Sequence, residues 1–412
     1  MVSLSALLAT TYILGSTLLL CGKESTVVGR ATWILFRLAP RTFQRCDIFR
    51  WAKNFVNFSM AVERSPQRGR PRPQPKPYII GNGAVEIGVN LDLGGSIGYL
   101  RALMEGGDAI ATITYRSSHS QNKHRLRNVI NSADKGREIQ MSFYAPPRPY
   151  IPNEASTSTE EDCSYSGKAW PWNPIGAGNV HGDTSKILNV TKLSNSSLSI
   201  LTRPLQWACT PEPVQCECTF EKTIQVHSGN RPVIKVTARL HNARTDAYDE
   251  SMRMNQELPA VYTNGFLYRL VTYSGSKPFQ SDSPVTEFNA SFDADQPFPW
   301  IPGQFSASEH WGAFVDEDGW GLGVINPKQA TFVGGFFRPE KKGQGGPRSS
   351  QTGYIAPVGM YALPRNVTFE YVYYLVLGSV DYIRSVAKSV VMQHEREKRY
   401  ASVGGKILLD RS

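Results

Sequence analysis

Alternation of apolar and polar positions dominates this chain from residue 78 onward. Val85, Ile87, Val89 and Leu91 alternate with Glu86, Gly88 and Asn90. A period of two puts one set of side chains on a buried face, so the segment predicts a half-buried strand. Lys222 to Leu240 predicts two strands, KTIQVH and PVIKVTARL, around a Ser-Gly-Asn turn. Phe369 to Leu377, FEYVYYLVL, is aromatic and β-branched, which suits a buried strand. One helical period stands out near the C-terminus. Ile383, Val386, Ala387, Val390 and Val391 recur at three and four, and Asp381 suits the positive end of a helix dipole. Gly and Pro punctuate the rest, with no repeat of fixed period. The pattern predicts stacked antiparallel sheets in one domain over 78–397, then a tail over 398–412.

The first 77 residues follow another pattern. Leu4 to Cys21 is apolar and uncharged, with no Lys or Arg before it. Its length lies between a signal-peptide core and a spanning helix, which needs about 20 apolar residues. Residues 1–22 therefore read as a signal peptide or a signal anchor. Over 23–63, Arg37, Arg41 and Arg45 repeat at four beside Trp33, Ile34, Leu35 and Phe36. Basic amphipathic segments lie on membrane surfaces, so residues 1–58 imply a membrane association. RSPQRGRPRPQPKP, residues 64–77, is an extended Pro/Arg-rich linker. A disordered extension is the alternative reading of the whole leader. Asn-x-Ser/Thr sites at Asn57, Asn189, Asn195, Asn289 and Asn366 tilt toward the secretory pathway, with the protein secreted or membrane-anchored. An anchor with an Arg-rich flank would instead favour a cytoplasmic body, and the two readings stay open.

Charge changes the view of the ligand. The chain carries +10, but residues 1–77 hold 12 Lys/Arg against 3 Asp/Glu. The remaining 335 residues hold 33 against 32. The basic character thus belongs to the leader. The body is near neutral, which argues against nucleic acid and suits an uncharged or weakly charged ligand.

Asn82 to Ile97, NGAVEIGVNLDLGGSI, resembles the opening strands of the galactose-mutarotase-like supersandwich. Thr223 to Asn242 resembles its central strand pair, and Tyr361 to Ser379 with the following helix resembles its last strand and exit. The resemblance implies an all-β, antiparallel supersandwich with a C-terminal helix. It also implies a carbohydrate ligand and, without metal or other cofactor, general acid/base chemistry of a lyase, hydrolase or epimerase. Fold alone fixes no reaction. A non-catalytic carbohydrate-binding surface or secreted protein is one alternative, and an enzyme on a small non-sugar molecule is another. Epimerases of this kind pair a His acid with a carboxylate base. Their His-Asn-Leu motif is absent here, so no role carries over residue by residue.

Candidate residues come from local context. Trp170-Pro171-Trp172-Asn173 and Phe298-Pro299-Trp300 are aromatic loops, and Trp311 follows Glu309-His310. Exposed indoles stack on the C–H faces of sugars while amides bond hydroxyls, so Trp170, Trp172, Asn173, Trp300 and Trp311 are substrate-binding candidates. Core packing of a large sandwich is the alternative for each Trp. His181 sits in the loop GAGNVHGD, where an imidazole suits proton transfer. Glu257 precedes a proline, with Tyr262 after it; partial burial there would raise its pKa for acid or base work. His310 with Glu309 is a second acid/base pair. Arg137 could contact an acidic sugar or be solvated. His227 and His241 lie in or at the ends of strands and read as structural. Cys209, Cys216 and Cys218 cluster without the paired knuckles of a zinc site. They read either as a bridge such as Cys209–Cys216 or as free buried thiols. No phosphate loop, Gly-x-Ser-x-Gly elbow or His-Glu-x-x-His motif occurs.

Overall fold

A computed structural model describes residues 77–103, 127–151, 163–165, 168–208, 213–229, 231–280, 283–288, 302–337 and 342–402 of the chain. All of them fall within one compact unit, Pro75–Ser412. In chain order the strands are β1 (Tyr78–Gly81), β2 (Val85–Asn90), β3 (Ser96–Ala102), β4 (Ile139–Ser142), β5 (Ser164–Tyr165), β6 (Lys168–Ala169) and β7 (Pro174–Ile175). Then come β8 (Lys186–Ser194), β9 (Ser197–Arg203), β10 (Leu205–Gln206), β11 (Cys218–Val226), β12 (Val233–Asn242), β13 (Met254–Asn264) and β14 (Arg269–Thr272). The last are β15 (Thr286–Phe288), β16 (Pro302–Ser306), β17 (Trp311–Val315), β18 (Trp320–Ile325), β19 (Thr331–Phe337), β20 (Thr352–Tyr361) and β21 (Val367–Ser379), before helix α1 (Val380–Ser402).

Two antiparallel sheets stack face to face. The first runs β1-β2-β3-β4-β13-β20-β19-β16, with β7 and β10 attached beside β4. The second runs β15-β14-β17-β18-β21-β12-β11-β9-β8. Ile97, Ile139, Val261 and Ile355 of the first sheet meet Ile200, Phe220, Ile224, Val236 and Leu375 of the second in one apolar core. Phe143 and Phe220 touch edge to face across it, with ring centroids 5.3 Å apart. The described residues thus form the all-β antiparallel supersandwich with a C-terminal helix.

The predicted strands form, with one local difference. Val85, Ile87 and Val89 are buried as alternation requires. Leu91 instead leaves the strand in a short 3-10 turn capped by Asn90 and ending at Gly94, and is exposed. Gly94 and Gly95 both take positive φ, and a Cβ on Gly94 would collide with the Gly176 carbonyl. The α1 period places Ile383, Ala387 and Val391 against Val271, Trp311 and Val376 on the outer face of the second sheet. Ser379 Oγ accepts from Tyr382 N and caps the helix start.

One reading made from the sequence is corrected here. It placed the protein in the secretory pathway, secreted or membrane-anchored. Among the described residues no helix is long and apolar enough to cross a membrane. The leader, residues 1–76, lies outside the described residues.

Candidate active site

The second sheet carries α1 on its outer face, and the outer face of the first sheet is itself largely buried at its centre. β13 and β20 pair at its centre. Glu257 stands opposite Val358 and Tyr262 opposite Tyr354. The register slips by one residue between Glu257 and Val261 against both β20 and β4. Ala260, Tyr354, Ala356 and Val358 form a small apolar cluster there, with Tyr262 and Val333 packed on it. This face therefore carries a small buried apolar cluster beside a carboxylate.

Glu257 is held by hydroxyls from three strands or their ends. The Tyr354 hydroxyl donates to Glu257 Oε1. Ser142 at the end of β4 and Tyr144 just beyond it also bond to the carboxylate. The Tyr262 and Tyr354 rings lie 4.9 Å apart. Burial pushes the Glu257 pKa up, and the three hydroxyls pull the other way. Burial, then the nearby Glu257 charge, pushes the Tyr262 and Tyr354 hydroxyls far up. The tyrosines therefore stay protonated and act as donors. Glu257, Tyr144 and Tyr262 are still partly reached by solvent.

A hydrogen-bonded relay runs from Glu257 to an aromatic group. Trp170 Nε1 donates to Asn173 Oδ1 at 3.0 Å. Asn173 Nδ2 donates to Ser142 Oγ at 3.1 Å, and Ser142 bonds Glu257. Trp170, Tyr165 and Trp207 form an edge-to-face trio, with Tyr165 5.2 Å from Trp170 and 5.8 Å from Trp207. Asp134 and Arg137 act electrostatically on both Tyr165 and Tyr262, which sets the trio beside the tyrosine cluster. Trp170 and Trp207 are half-buried and Tyr165 is exposed.

The sequence-predicted residues divide clearly. Glu257 and Tyr262 come together, and Trp170 joins them through the relay. Asn173 is buried and serves the relay, so it is not an open sugar ligand. Trp172 is fully buried and cannot form a platform: its ring lies 4.7 Å from the Arg244 guanidinium, which Tyr150 and Tyr248 also face. Trp311 is fully buried under α1. Glu309 is no acid/base group in reach of ligand. It is fully buried, with Arg384 Nε and Nη2 at 2.8 and 2.6 Å and Trp311 Nε1 at 2.9 Å. Its role is to pin the helix. His310 stands beside it at a positive φ, and burial lowers its pKa. Arg137 is neither solvated nor open to ligand. Its guanidinium pairs with Asp134 at 2.9 Å and bonds the Ser349 and Ser350 carbonyls. His181 is exposed on the 179–183 turn, and its ring has no hydrogen-bond partner among the described residues. Trp300 lies outside the described residues.

The cysteine reading is also corrected. The bridge joins Cys216 to Cys218, not Cys209 to Cys216, and Cys163 is a free buried thiol. Sequence reasoning missed Ser142, Tyr144, Tyr354, Tyr165 and Trp207. Tyr354, Ala356 and Val358 do alternate along β20, a signal for one shared face.

A second buried titratable pair lies between the sheets. Glu138 has a positive φ, and both its carboxylate oxygens are buried without a hydrogen-bond partner. The nearby Ser96 hydroxyl donates to the Leu93 carbonyl instead. Lys222 of β11 faces the same interior and is 3% exposed. Burial pushes Glu138 up to about 8, opposed first by the neighbouring Ser96 hydroxyl and then by the Lys222 charge, and pushes Lys222 down to about 8, opposed by the Glu138 charge.

No protein-family model matches the chain, and no curated protein matches it in sequence. Solved structures are similar in fold. A galactose mutarotase related enzyme from Lactobacillus acidophilus is 10% identical over 74% of this chain and 98% of its own, with TM-score 0.40. An aldose epimerase homologue from C. elegans is 9% identical over 74% of this chain and 100% of its own, with TM-score 0.37. The heparan sulfate lyase of Pedobacter heparinus is 9% identical over 80% of this chain and 42% of its own, with TM-score 0.27. At these identities and scores the likenesses carry no argument about family or function.

Proposed function

We propose that the protein is a carbohydrate-active enzyme that moves protons on a neutral sugar, with Glu257 as the base and a neighbouring tyrosine as the acid. One observation carries this reading: a carboxylate of raised pKa on the outer face of the first sheet, ringed by protonated tyrosines and still reached by solvent. Glu257 would take the proton of a sugar hydroxyl while Tyr262 or Tyr144 gives one to the ring oxygen. Trp170 and Tyr165 would pack on the sugar's C–H face. Two-carboxylate hydrolysis is less well supported, since no second carboxylate bonds into the described cluster. Elimination from a uronate is also less well supported, because Arg137 is already engaged.

The test is anomeric exchange of common aldoses followed by NMR with the full chain. A rate above buffer that disappears in Glu257→Gln supports the proposal. Exchange that persists in Glu257→Gln overturns the assignment of the base.

A second reading has its own observation. Three hydroxyls already bond Glu257, which occupies its lone pairs and leaves little room for a substrate hydroxyl. That favours a non-catalytic carbohydrate-binding surface. Sugar binding without turnover, unchanged by Glu257→Gln, would establish it.

A further inference from the structure

Away from the tyrosine cluster, a cavity of about 290 Å³ is walled by Arg203, Cys216, Glu217, Cys218, Thr219 and His241, with Gln215 and Ala243 completing it. Arg203, Gln215, Glu217, His241 and Ala243 are exposed, so the cavity opens to solvent. At its wall lies the Cys216–Cys218 bridge, although each cysteine is itself nearly buried.

A bridge between residues two apart closes a very small loop. In the chain-entropy account such a loop removes little freedom from the unfolded chain, so the bridge adds little stability. The surrounding backbone is held without it. Cys216 N donates to the Pro204 carbonyl at 2.9 Å, Ala243 N donates to the Glu217 carbonyl at 2.9 Å, and Cys218 opens β11 opposite Asn242. The disulfide is thus redundant for the fold and accessible from a cavity.

The wall chemistry suits sulfur. Arg203 brings a permanent cation and has no partner among the described residues. A cation beside a sulfur stabilises its thiolate, the leaving group of disulfide exchange. Glu217, the residue between the two cysteines, is drawn off by Thr245, whose N and Oγ1 both donate to Glu217 Oε2 at 2.8 Å. His241 is tied on one side to Thr368 Oγ1 through Nδ1 at 3.3 Å.

We infer that Cys216 and Cys218 form a thiol–disulfide exchange site for an external dithiol. One thiolate of the dithiol attacks one sulfur of the bridge, the S–S bond breaks, and the other cysteine leaves as a thiolate beside Arg203. The second thiol of the dithiol then attacks the mixed disulfide. The dithiol is oxidised to its own disulfide, and its two protons end on the reduced Cys216 and Cys218.

The experiment uses the folded full-length protein with dithiothreitol and no denaturant. A maleimide then tags free thiols, and peptide mass spectrometry locates them. Two tags on the peptide holding Cys216 and Cys218, removed by prior treatment with oxidised glutathione, are expected, with Cys163 untagged. Arg203→Ala should slow reduction by roughly threefold or more through loss of leaving-group stabilisation. A Cys216→Ser/Cys218→Ser double variant should unfold thermally like the native chain. Tagging only after denaturation, an unchanged rate in Arg203→Ala, or a double variant that loses the cooperative transition would each overturn the inference.

Discussion

Glu257 and Tyr262 stand on one strand at an odd spacing, yet both side chains meet Tyr354. Strict alternation would send them to opposite faces of the sheet. The slip in β13 resolves this. Glu257 pairs with Val358, but Val261 pairs with Ile355, so one extra residue lies between them. Leu258 and Val261 go to the core, while Glu257, Ala260 and Tyr262 take the outer face. A bulge next to a candidate active site re-aims a side chain in just this way.

Removing the ionisable group of Glu257 should stop proton transfer. Glu257→Gln is predicted to lower turnover by roughly 10²–10⁴-fold, the usual share of general acid–base catalysis. KM should hardly change if the carboxylate acts mainly in the transition state. Steady-state kinetics on the sugar found by the exchange screen measures both. A rise in KM with turnover intact would show a binding role instead.

The hydroxyl ring tunes the pKa of Glu257. Tyr354 and Ser142 donate to the carboxylate and so oppose the upward push of burial. Tyr354→Phe and Ser142→Ala each remove one such donor. Both should move the acidic limb of the rate profile to higher pH, because the ionised form loses a hydrogen bond. Tyr354→Phe should also cost about 1 kcal/mol of stability, the typical worth of a buried hydrogen bond. A limb that stays in place would remove Glu257 as the group titrating there.

Trp170 and Trp172 should respond in opposite ways. Trp170 is half-buried within the aromatic trio, so Trp170→Ala should weaken sugar binding by about 1–3 kcal/mol, as for aromatic stacking on bases. Trp172 is fully buried on Arg244. Its replacement by Ala should instead cost about 3–5 kcal/mol of folding stability. Calorimetry and denaturant unfolding on the two variants separate the effects. Equal effects on both quantities would mean that the two indoles share one role.

Much of the fold was legible because its strands obey simple periods. KTIQV lies in β11 and VIKVTARL in β12, with His227 and Pro232 just outside the strands, and the apolar residues of α1 face the second sheet at the expected spacing. The site was legible only in part. Glu257 and Tyr262 showed themselves as polar groups around a proline, but their shared face depends on a bulge that no local period encodes. Ser142, Tyr144 and Tyr354 reach Glu257 from strands far off in sequence. Glu309 misled for the same reason, since its ion partner Arg384 sits on the distant helix. Trp172 looked like a loop platform, and only the tertiary placement of Arg244 explains its burial.

Breaking the Glu309–Arg384 pair should loosen α1. Glu309 is wholly buried and Arg384 is nearly so, which makes a surviving unpaired charge expensive. Glu309→Ala is predicted to destabilise by about 3–5 kcal/mol, the range for removing one partner of a buried ion pair. Hydrogen exchange should locate the loss in α1 and near Gln280 and Ser283, whose carbonyls Arg384 also bonds. Sugar binding on the far sheet should persist in the folded fraction. Loss concentrated in β13 and β20 would contradict this placement.

The Glu138–Lys222 pair makes a prediction about pH and stability. Glu138 is raised in the folded state from the usual 4.5 to about 8. The folded protein therefore holds a proton that the unfolded chain releases once pH passes the usual carboxylate value. Stability from this group is complete below that value and is lost as pH rises toward about 8. Lys222 is lowered from 10.5 to about 8, so its contribution is complete above 10.5 and is lost as pH falls toward about 8. Between the two windows each group suffers most from burial. Glu138→Gln keeps the shape and stays neutral at every pH, so it should flatten the fall in stability between about 4.5 and 8. Lys222 then loses the nearby carboxylate, and its own pKa should drop further. Urea unfolding of both proteins across pH 5 to 9 measures the slopes. A native chain whose stability is flat from pH 5 to 8, or a Glu138→Gln chain with the native slope, would show that Glu138 does not carry this proton.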